Sequence, residues 1–408
     1  MLQLPDFVLA PFGVAYGAAG STRRALYRAG VLAAERIDAP VLSVGNITAG
    51  GTGKTPLVEW LAREAAREGR RVCILTRGYG RADAGRRVVV SDGGRLLAGA
   101  REGGDEPRLL AESLRELPVS VVSDANRVGA ARWALENLRS ELFILDDGFQ
   151  HLRIARDLNI LTLDATDPWG GGRLLPRGRL REPLGEMKRA DLIIVTRAEL
   201  AGDLEGLRAR AASLSGNRPV LVARTATRRI APLAAPEVEE EATGGEVEGM
   251  TNKQVEGTTD KEVEATDAGA HDMRDVTQQS LPGGISQSLS GGIPRPLTDG
   301  IPQPLAAFCA IGNPQAFFAH ARRENLTLNY TRAFTDHHAY AQRDVDECVL
   351  EAVRCGARAL LTTAKDAVKL RALDFALPCY VLEVALKFDD ERAMRAILRE
   401  CLSRRGGL

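Results

Sequence analysis

Short runs of apolar residues recur along the first half of the chain, and each run is bounded by glycine or by polar residues. Between the runs, apolar positions return every three or four residues, which is the period of a helix that packs on one face. This alternation of strand and helix patterns predicts an α/β fold with a doubly wound, mostly parallel sheet. The predicted strands are 41–44, 71–76, 119–123, 142–145, 159–164, 191–197 and 218–224, with an edge strand at 87–91.

The pattern changes near residue 235, where an acidic Glu/Thr/Gly segment precedes three copies of an octapeptide. Such a segment buries too little apolar surface to offset its ordering entropy, so we predict a disordered insertion; an adhesive role is the less favoured alternative. Strand and helix patterns return at residue 306 and predict a second, smaller α/β domain. The predicted domains are 1–39, 40–234, 235–305 and 306–408.

Composition excludes several classes of protein. The chain has 408 residues with 44% apolar content, enough for a sizeable core. Its formal net charge is zero, so bulk charge does not indicate a nucleic-acid partner. The six cysteines form no C-x-x-C pair and are typical of buried thiols in a reducing compartment. The pair His337-His338 has no second cluster of ligands beside it in the sequence, which favours a structural role over a metal site.

The segment after the first predicted strand carries the clearest chemical signal. A strand, a glycine-rich turn, a Lys-Thr pair and a helix form the pattern of a phosphate-binding P-loop, and the fold is therefore predicted to be of the P-loop NTPase type. Glycines let backbone N–H groups turn towards phosphate oxygens, while Lys54 can reach the β- and γ-phosphates and Thr55 can bind Mg²⁺. Thr48 stands where the usual pattern has glycine. The predicted nucleotide-binding residues are Thr48, Ala49, Gly50, Gly51, Thr52, Gly53, Lys54 and Thr55.

Polar residues follow two further predicted strands, at the positions where ligands bind in parallel α/β sheets. Arg77 and Tyr79 follow the strand at 71–76 and are candidates for the nucleotide-binding site. Asp146 and Asp147 end an apolar strand, as expected of the carboxylates that organise Mg²⁺ in a P-loop enzyme. The sequence does not decide which of the two lies closer to the metal.

Three other features each allow two interpretations. Asp105 opens a predicted helix, where a carboxylate is explained by capping alone. Residues 5–20 are apolar, interrupted by glycine and proline, and too short to span a bilayer comfortably; with the arginines behind them they suit either a membrane surface or the core. The long loop 167–183 suits either an anionic amphiphile or solvent, and its arginines are Arg173, Arg177, Arg179 and Arg181.

Taken in order, these motifs resemble those of the tetraacyldisaccharide 4′-kinase family, the lipid A 4′-kinases of Gram-negative bacteria. The resemblance covers nearly the whole chain except the insertion, and the P-loop form with Thr48 is the family's own. Two places depart from the family pattern: Arg177 and Arg179 replace smaller residues or proline, and Ala364 replaces a common glutamate. The matching segments are 45–56, 76–80, 104–107, 146–151, 174–183, 334–337 and 365–369.

The resemblance implies transfer of the γ-phosphate of ATP to the 4′-hydroxyl of a tetraacyl glucosamine disaccharide 1-phosphate. A sugar hydroxyl is a poor nucleophile that needs a base in reach. The resemblance implies that this base is an aspartate paired with a histidine, as in the family. The histidine lies in the smaller domain, so domain closure is expected to assemble the site; a role for His338 stays open. The implied catalytic residues are Asp105, His337 and Lys54, and the implied Mg²⁺ ligands are Thr55 with Asp146 or Asp147.

A lipid acceptor also favours the membrane-surface interpretation of the N-terminal segment. The resemblance then implies a peripheral protein on the cytoplasmic face of the bacterial inner membrane, with an acylated disaccharide as its partner and no nucleic acid.

A membrane-associated P-loop ATPase or GTPase switch, coupled to a protein partner, is the rival interpretation. It explains the P-loop and the Asp146-Asp147 pair equally well, but it gives no role to Asp105, His337 or the arginines of the long loop. A third interpretation is a non-catalytic nucleotide-binding scaffold, for which no turnover is expected under any condition.

Overall fold

The computed structural model describes residues 6–234 and 300–403. The described strands are β1 (Val41–Gly45), β2 (Val72–Thr76), β3 (Val88–Asp92), β4 (Val119–Ser123), β5 (Leu142–Leu145), β6 (Leu158–Asp164), β7 (Leu192–Thr196), β8 (Val220–Pro232), β9 (Leu305–Cys309), β10 (Leu328–Ala333), β11 (Ala359–Thr363) and β12 (Cys379–Phe388). The described α-helices are α1 (Asp6–Arg28), α2 (Lys54–Arg67), α3 (Ala100–Gly103), α4 (Asp105–Ser113), α5 (Arg127–Asn137), α6 (Leu204–Ser215), α7 (Pro314–Arg323), α8 (Gln342–Arg354), α9 (Ala364–Leu370) and α10 (Glu391–Ser403).

The described strands form one sheet in the order β10-β9-β11-β12-β8-β7-β6-β1-β5-β2-β4-β3. Neighbouring strands pair in parallel except at two places, β3 with β4 and β8 with β12. The mostly parallel, doubly wound sheet predicted from the alternating pattern is therefore confirmed, as is the edge position of β3.

The long strand β8 explains how the two groups of strands meet. Its first residues pair in parallel with β7, whereas the stretch from Ala223 to Pro232 pairs antiparallel with β12. The group from β9 to β12 therefore lies beyond the carboxyl ends of the larger group and runs in the opposite direction. As a result, the carboxyl ends of β9, β10 and β11 point back towards those of β1, β2 and β5. Because ligands bind outside the carboxyl ends of parallel strands, both groups direct their functional loops to one region.

Helices cover both faces of the larger group of strands. In β1, Val41 packs in a buried cluster with residues of α5, while Leu42 packs on the opposite face with residues of α2 and α4. Phe143 and Ile144 of β5 divide between the same two clusters. Since both faces are buried, these strands consist of continuous apolar runs rather than alternating ones, which is why the sequence pattern identified them.

Two local predictions were incomplete. The prediction missed β10, whose sequence Leu-Asn-Tyr-Thr-Arg-Ala alternates between half-buried and exposed positions at the edge of the sheet instead of forming an apolar run. The helix that residues 104–107 open was predicted to run from Arg108 to Leu114, but it begins at Asp105, because Pro107 is accepted in a first helical turn.

The predicted insertion lies almost entirely outside the described residues, since 235–299 are not among them. All described residues belong to one compact unit. The domain boundaries at 40, 235 and 306 stay predictions.

Candidate active site

The glycine-rich segment after β1 makes a tight turn that leads into α2. Gly53 occupies the N-cap with a φ of 74°, a left-handed conformation that glycine adopts without strain. Gly53 has no side chain with which to cap this helix, so the first N–H groups of α2 are available to an anion that the helix dipole also favours. Two threonines fix the turn from the sheet: Thr162 Oγ1 lies 2.9 Å from Thr52 Oγ1, and Thr196 Oγ1 donates to the Thr52 carbonyl at 2.9 Å. The segment has the local geometry of a P-loop.

Lys54, at the start of α2, shares its ammonium group between two acceptors. Its Nζ lies 3.3 Å from Oδ1 of Asn46 and 3.5 Å from Oδ1 of Asp147. Arg181 contacts the same two oxygens, at 3.2 Å and 2.8 Å. The Asn46 amide in turn donates to the Thr48 carbonyl at 2.6 Å, which ties this group to the P-loop. Two cations therefore converge beside the loop, as stabilising a polyphosphate requires.

Asp146 and Asp147 follow β5 but lie in different environments. Burial disfavours the charge of Asp147, but Lys54 and Arg181 outweigh it and hold the pKa of this carboxyl well below its usual range. Asp146 is 3% exposed, and its Oδ1 has no hydrogen-bond partner among the described residues. Burial, and then the charges of Glu106 and Asp147, raise the pKa of Asp146 to about 7.

These residues fit a magnesium ion. A buried carboxylate oxygen without a partner is costly, and a hard divalent cation is the ligand that such an oxygen suits. Thr55 adds a hydroxyl in the first turn of α2. Across 6–234 and 300–403, no group of three or more His, Cys, Asp or Glu residues could hold a metal. An ion here would therefore need further oxygen ligands from nucleotide and water, which Mg²⁺ commonly retains.

Asp105 and His337 come together from the two groups of strands. Asp105 is the first residue of α4 and is 6% exposed, whereas His337 lies in the loop after β10. Nδ1 of His337 lies 2.9 Å from Oδ2 and 3.1 Å from Oδ1 of Asp105. Asp105 Oδ1 also accepts the N–H of Glu106 at 2.9 Å. The N-cap of α4 is Gly104, which makes no side-chain capping bond, so Asp105 is the first helical residue and not the cap.

Charge around this pair shifts both pKa values. Burial opposes the charge of Asp105, but the hydrogen bond from His337 and the cations Lys365 and Lys369 outweigh it and lower the pKa of the carboxyl. The hydrogen bond to Asp105 raises the pKa of His337 above its ordinary value, although burial and the charge of Lys365 oppose this. The pair therefore favours an ionised carboxylate beside an imidazole that holds its second proton more readily than a free histidine does.

Of the other candidates, Tyr79 reaches this pair and His338 does not. The Tyr79 ring is 69% exposed, and its centroid lies 5.1 Å from that of His337. Arg77 is exposed two residues earlier in the same loop. His338 turns away: its Nε2 lies 3.1 Å from Oδ2 of Asp344, and its ring stacks on Phe334 with centroids 4.8 Å apart. His338 thus anchors its own loop.

Three arginines of the long loop contact two different parts of the protein, the P-loop region and helix α1. Arg181 pairs with Asp147, and Arg179 donates to the Ala49 carbonyl at 2.8 Å and to Asp167 at 3.0 Å. These two support the P-loop, which neither sequence interpretation anticipated. The side chain of Arg177 instead lies against α1.

Helix α1 rests on the same long loop through a face of glycines. A Cβ added to Gly13 would meet the side chain of Arg177 at 3.4 Å, and one added to Gly17 would meet Leu174 at 2.7 Å. Near the end of the helix, buried Arg24 pairs with Glu186 at 3.1 Å. The other side of α1 is open to solvent, and its most exposed large apolar residues are Phe12 (63%), Val14 (70%) and Tyr16 (43%).

The loop after β9 packs directly on the P-loop. A Cβ on Gly312 would collide with the backbone nitrogen of Gly51, so only glycine allows this approach. The next residue, Asn313, donates to Asp164 at the end of β6 at 3.2 Å and to Thr166 just after it at 3.0 Å. The two groups of strands are therefore in contact at the nucleotide loop as well as at the Asp105–His337 pair.

Sequence reasoning missed two site residues, Asn46 and Lys365. Asn46 directly follows a buried strand and precedes the glycines, a position from which its amide can reach the lysine of the loop. Lys365 lies in one of the matched motifs, yet its partners are distant in sequence and only the fold brings them together.

Comparison with known proteins agrees with this geometry. A family model described as tetraacyldisaccharide-1-P 4′-kinase matches residues 5–403. A tetraacyldisaccharide 4′-kinase of Geobacter sulfurreducens is 35% identical over 401 residues, covering 98% of this chain and 94% of the relative. Its namesake from Geobacter metallireducens is 37% identical over 363 residues, covering 89% and 88%.

A solved structure extends the similarity to the fold. The crystal structure of the "apo" form of LpxK from Aquifex aeolicus, in complex with ATP, superposes with a TM-score of 0.67 at 28% identity and covers 97% of this chain and 99% of that one. No helix within the described ranges is both long and apolar enough to cross a membrane. With a family match over nearly its whole length, a P-loop and an Asp–His pair, the chain belongs to the tetraacyldisaccharide 4′-kinase (LpxK) family and acts in lipid A biosynthesis.

Proposed function

We propose that the chain transfers the γ-phosphate of ATP to the 4′-hydroxyl of its lipid acceptor with Asp105 as the general base. The observation that carries this proposal is the contact of His337 Nδ1 with Asp105 at 2.9 Å, at the start of α4. The proximity of α4 to Asp146 is supported by Glu106, whose charge helps to raise the pKa of Asp146. The ATP-bound relative supports the choice of nucleotide.

In the proposed reaction, the hydroxyl oxygen of the acceptor attacks the γ-phosphorus while its proton passes to Asp105. The bond between the γ-phosphorus and the β–γ bridging oxygen breaks, and ADP leaves with the bonding electrons. Positioned bases of this kind contribute about 10²- to 10⁴-fold to a rate. His337 donates from Nδ1 to the carboxylate and orients it, and this hydrogen bond supports its role beside the base.

The nucleotide is assigned to residues 48–55, with the phosphates on the N–H groups that begin α2. Lys54 would neutralise the β- and γ-phosphates, and Arg181 stands beside it to support the same charge. Asn46 holds both cations through one oxygen and so fixes their spacing. Arg77 and Tyr79 are proposed to contact the nucleotide from the loop after β2, where the Tyr79 ring packs against the His337 imidazole.

Thr55, Asp146 and Asp147 would hold Mg²⁺. When bound, the ion would stabilise negative charge on the phosphates. Oδ1 of Asp146 has no hydrogen-bond partner in the described part of the chain, which supports the assignment of this residue as a ligand. Asp147 pairs with Lys54 and Arg181, which supports a role in placing those cations as well as the ion.

Helix α1 is proposed to rest on the cytoplasmic face of the inner membrane. The glycine face of α1 packs against the long loop. The exposed side chains of Phe12, Val14 and Tyr16 would then enter the membrane interface between headgroups and acyl chains. Arg23 and Arg28 follow at the helix end, where anionic headgroups favour them. An acylated acceptor resides in that interface, so binding there would bring the active site to its substrate.

A transfer assay tests this proposal. Labelled γ-phosphate from ATP is followed into tetraacyldisaccharide 1-phosphate in detergent micelles, with the wild-type chain and with Asp105→Asn. We expect acceptor-dependent transfer by the wild type and a loss of about 10²-fold or more in the variant, with ATP binding retained. An unchanged transfer rate in Asp105→Asn would show that Asp105 is not the general base.

A further inference from the structure

Lys365 connects the two chain segments that carry the Asp–His pair. It lies in the first turn of α9 with a side chain 14% exposed. Its Nζ lies 2.8 Å from Oε1 of Glu106, 3.2 Å from Oδ1 of Asp336 and 3.3 Å from Nε2 of His337. Glu106 follows Asp105 in sequence, and Asp336 precedes His337. One ammonium group with three N–H donors therefore meets three acceptors around the pair.

The contact with His337 restricts the protonation of its ring. An ammonium group donates hydrogen bonds and accepts none, so Nε2 can take part in this contact only through its lone pair. The single proton of the neutral imidazole must then be on Nδ1, where Asp105 accepts it. We propose that Lys365 is a positioning residue that selects the Nδ1–H tautomer of His337 and opposes a second proton at Nε2. The catalytic meaning of this inference rests on the proposed role of Asp105.

The charged groups that face His337 act in opposite directions. Asp105 from α4 and Asp336 from its own loop favour a protonated ring, whereas Lys365 from α9 disfavours it. The exposed Tyr79 ring packs on the remaining side. Lys369, one turn further along α9, lies 3.7 Å from Asp105 and acts on the carboxylate. Lys365 is thus the cation that directly opposes the two carboxylates at the imidazole.

Lys365 itself stays charged. Burial lowers the pKa of its ammonium, but the charges of Glu106, Asp105 and Asp336 outweigh burial and raise this pKa far above neutrality. A permanent donor at Nε2 means that protonation of His337 must displace the contact with Lys365. The neutral ring then leaves the full negative charge on Asp105, which is the form that accepts a proton from the acceptor hydroxyl.

A purely structural role is the alternative, and the same helix supplies the control. Arg371, just after α9, makes a bidentate ion pair with Glu112 of α4 at 2.7 Å for both contacts. This pair also ties α4 to the smaller group of strands, and it does not touch Asp105 or His337. Arg371→Met therefore removes only an ion pair that links α9 to α4. Lys365→Met removes such an ion pair and also the positive charge beside Nε2 of His337.

The test is a histidine ¹⁵N NMR titration of the full chain, with the His337 signals assigned from His337→Gln. In the wild type we expect the Nδ1–H tautomer. In Lys365→Met we expect the pKa of His337 to rise by about one unit, because a nearby cation has been removed. Lys365→Arg should restore the wild-type value, and Arg371→Met should leave it unchanged. Lys365→Gln keeps a hydrogen-bond donor without the charge, so it should raise the pKa of His337 while the Nδ1–H tautomer is retained. This variant replaces Lys365→Met if the latter does not fold.

Kinetics provide a second readout. The acid limb of kcat/KM should move to higher pH by the same amount in Lys365→Met, with KM for the lipid unchanged. An unaltered His337 pKa in both Lys365→Met and Lys365→Gln, or an equal change in Arg371→Met, would overturn the inference. Failure of the proposed base is distinguishable, because it appears as full activity of Asp105→Asn while the NMR titration reports on Lys365 alone.

Discussion

Nδ1 of His337 lies 2.9 Å from Oδ2 of Asp105, although the two residues are 232 positions apart in the chain. The contact exists because strand β8 passes from one group of strands to the other and reverses the direction of the second group. The loop after β10 is thereby turned towards the start of α4. The Asp–His pair is thus a product of the sheet topology, and it forms only when both groups of strands are in place.

The raised pKa of His337 predicts the pH dependence of the reaction. Below this pKa the ring carries a second proton and places a positive charge against Asp105, which makes the carboxylate a weaker base. We therefore expect kcat/KM to fall as the pH decreases through a value above 6.5, the ordinary pKa of histidine, and to be level above it.

Rate measurements between pH 5 and 9 check this expectation, with His337→Gln as the comparison. Glutamine can donate to Asp105 but does not titrate, so the limb assigned to His337 should disappear. A limb at the same pH in both proteins would assign the titration to another group.

Gly312 sets the distance between the loop after β9 and the P-loop. A methyl group there would collide with the backbone of Gly51, so Gly312→Ala should hold the two loops apart. Overpacking of this kind costs about 1–3 kcal/mol, and we expect kcat/KM to fall about tenfold or more. Gly202→Ala is the matched control, since a Cβ at that position meets no described atom within 4 Å. Thermal unfolding of both variants, measured beside the assay, separates a loss of stability from a loss of activity.

Asp146→Asn tests the magnesium assignment. The change removes the charge of a buried carboxylate that has an oxygen without a described partner, so the Mg²⁺ concentration for half-maximal transfer should rise by roughly tenfold or more. The measurement is a Mg²⁺ titration of the transfer rate at saturating ATP. An unchanged titration would place the ion elsewhere.

Phe12→Asp with Val14→Asp tests the membrane face of α1. Both side chains are more than half exposed, and charges there should weaken binding to vesicles that contain anionic lipid. The control is Leu350→Asp with Val353→Asp on α8, whose side chains are 53% and 58% exposed. Flotation of the full chain with vesicles is the readout. Equal losses in both double variants would indicate non-specific binding, and no loss in the α1 variant would contradict the proposed face.

The larger group of strands was predictable because its strands are buried on both faces. Continuous apolar runs such as the one ending at Leu145 are visible without any tertiary information. Strand β10 was not found because edge strands expose one face and carry polar residues such as Asn329 and Arg332. The reversal at β8 was also not predictable, since it depends on which strand pairs with its second half.

The residues of the candidate site also fall into those that a local sequence pattern identifies and those that only the fold reveals. Lys54 and Asp147 follow strands in recognisable local patterns, so their sequence positions suffice to identify them. The resemblance to a family singled out Asp105 and His337, whose contact spans most of the chain. Lys365 lies in a segment that matches the family, but its role was not predictable, because its three partners come from α4 and from the loop after β10. Contacts formed between distant segments require the fold.

The most direct test of the account is a double-mutant cycle on Asp105 and His337. We measure kcat for acceptor-dependent phosphate transfer with Asp105→Ala, His337→Ala and the double variant. Removing the base should cost about 10²- to 10⁴-fold, and removing the imidazole should cost less. If the two residues act as one unit, the double variant should be no slower than Asp105→Ala. Losses that multiply in the double variant would show that the residues act independently and would contradict the proposed pair.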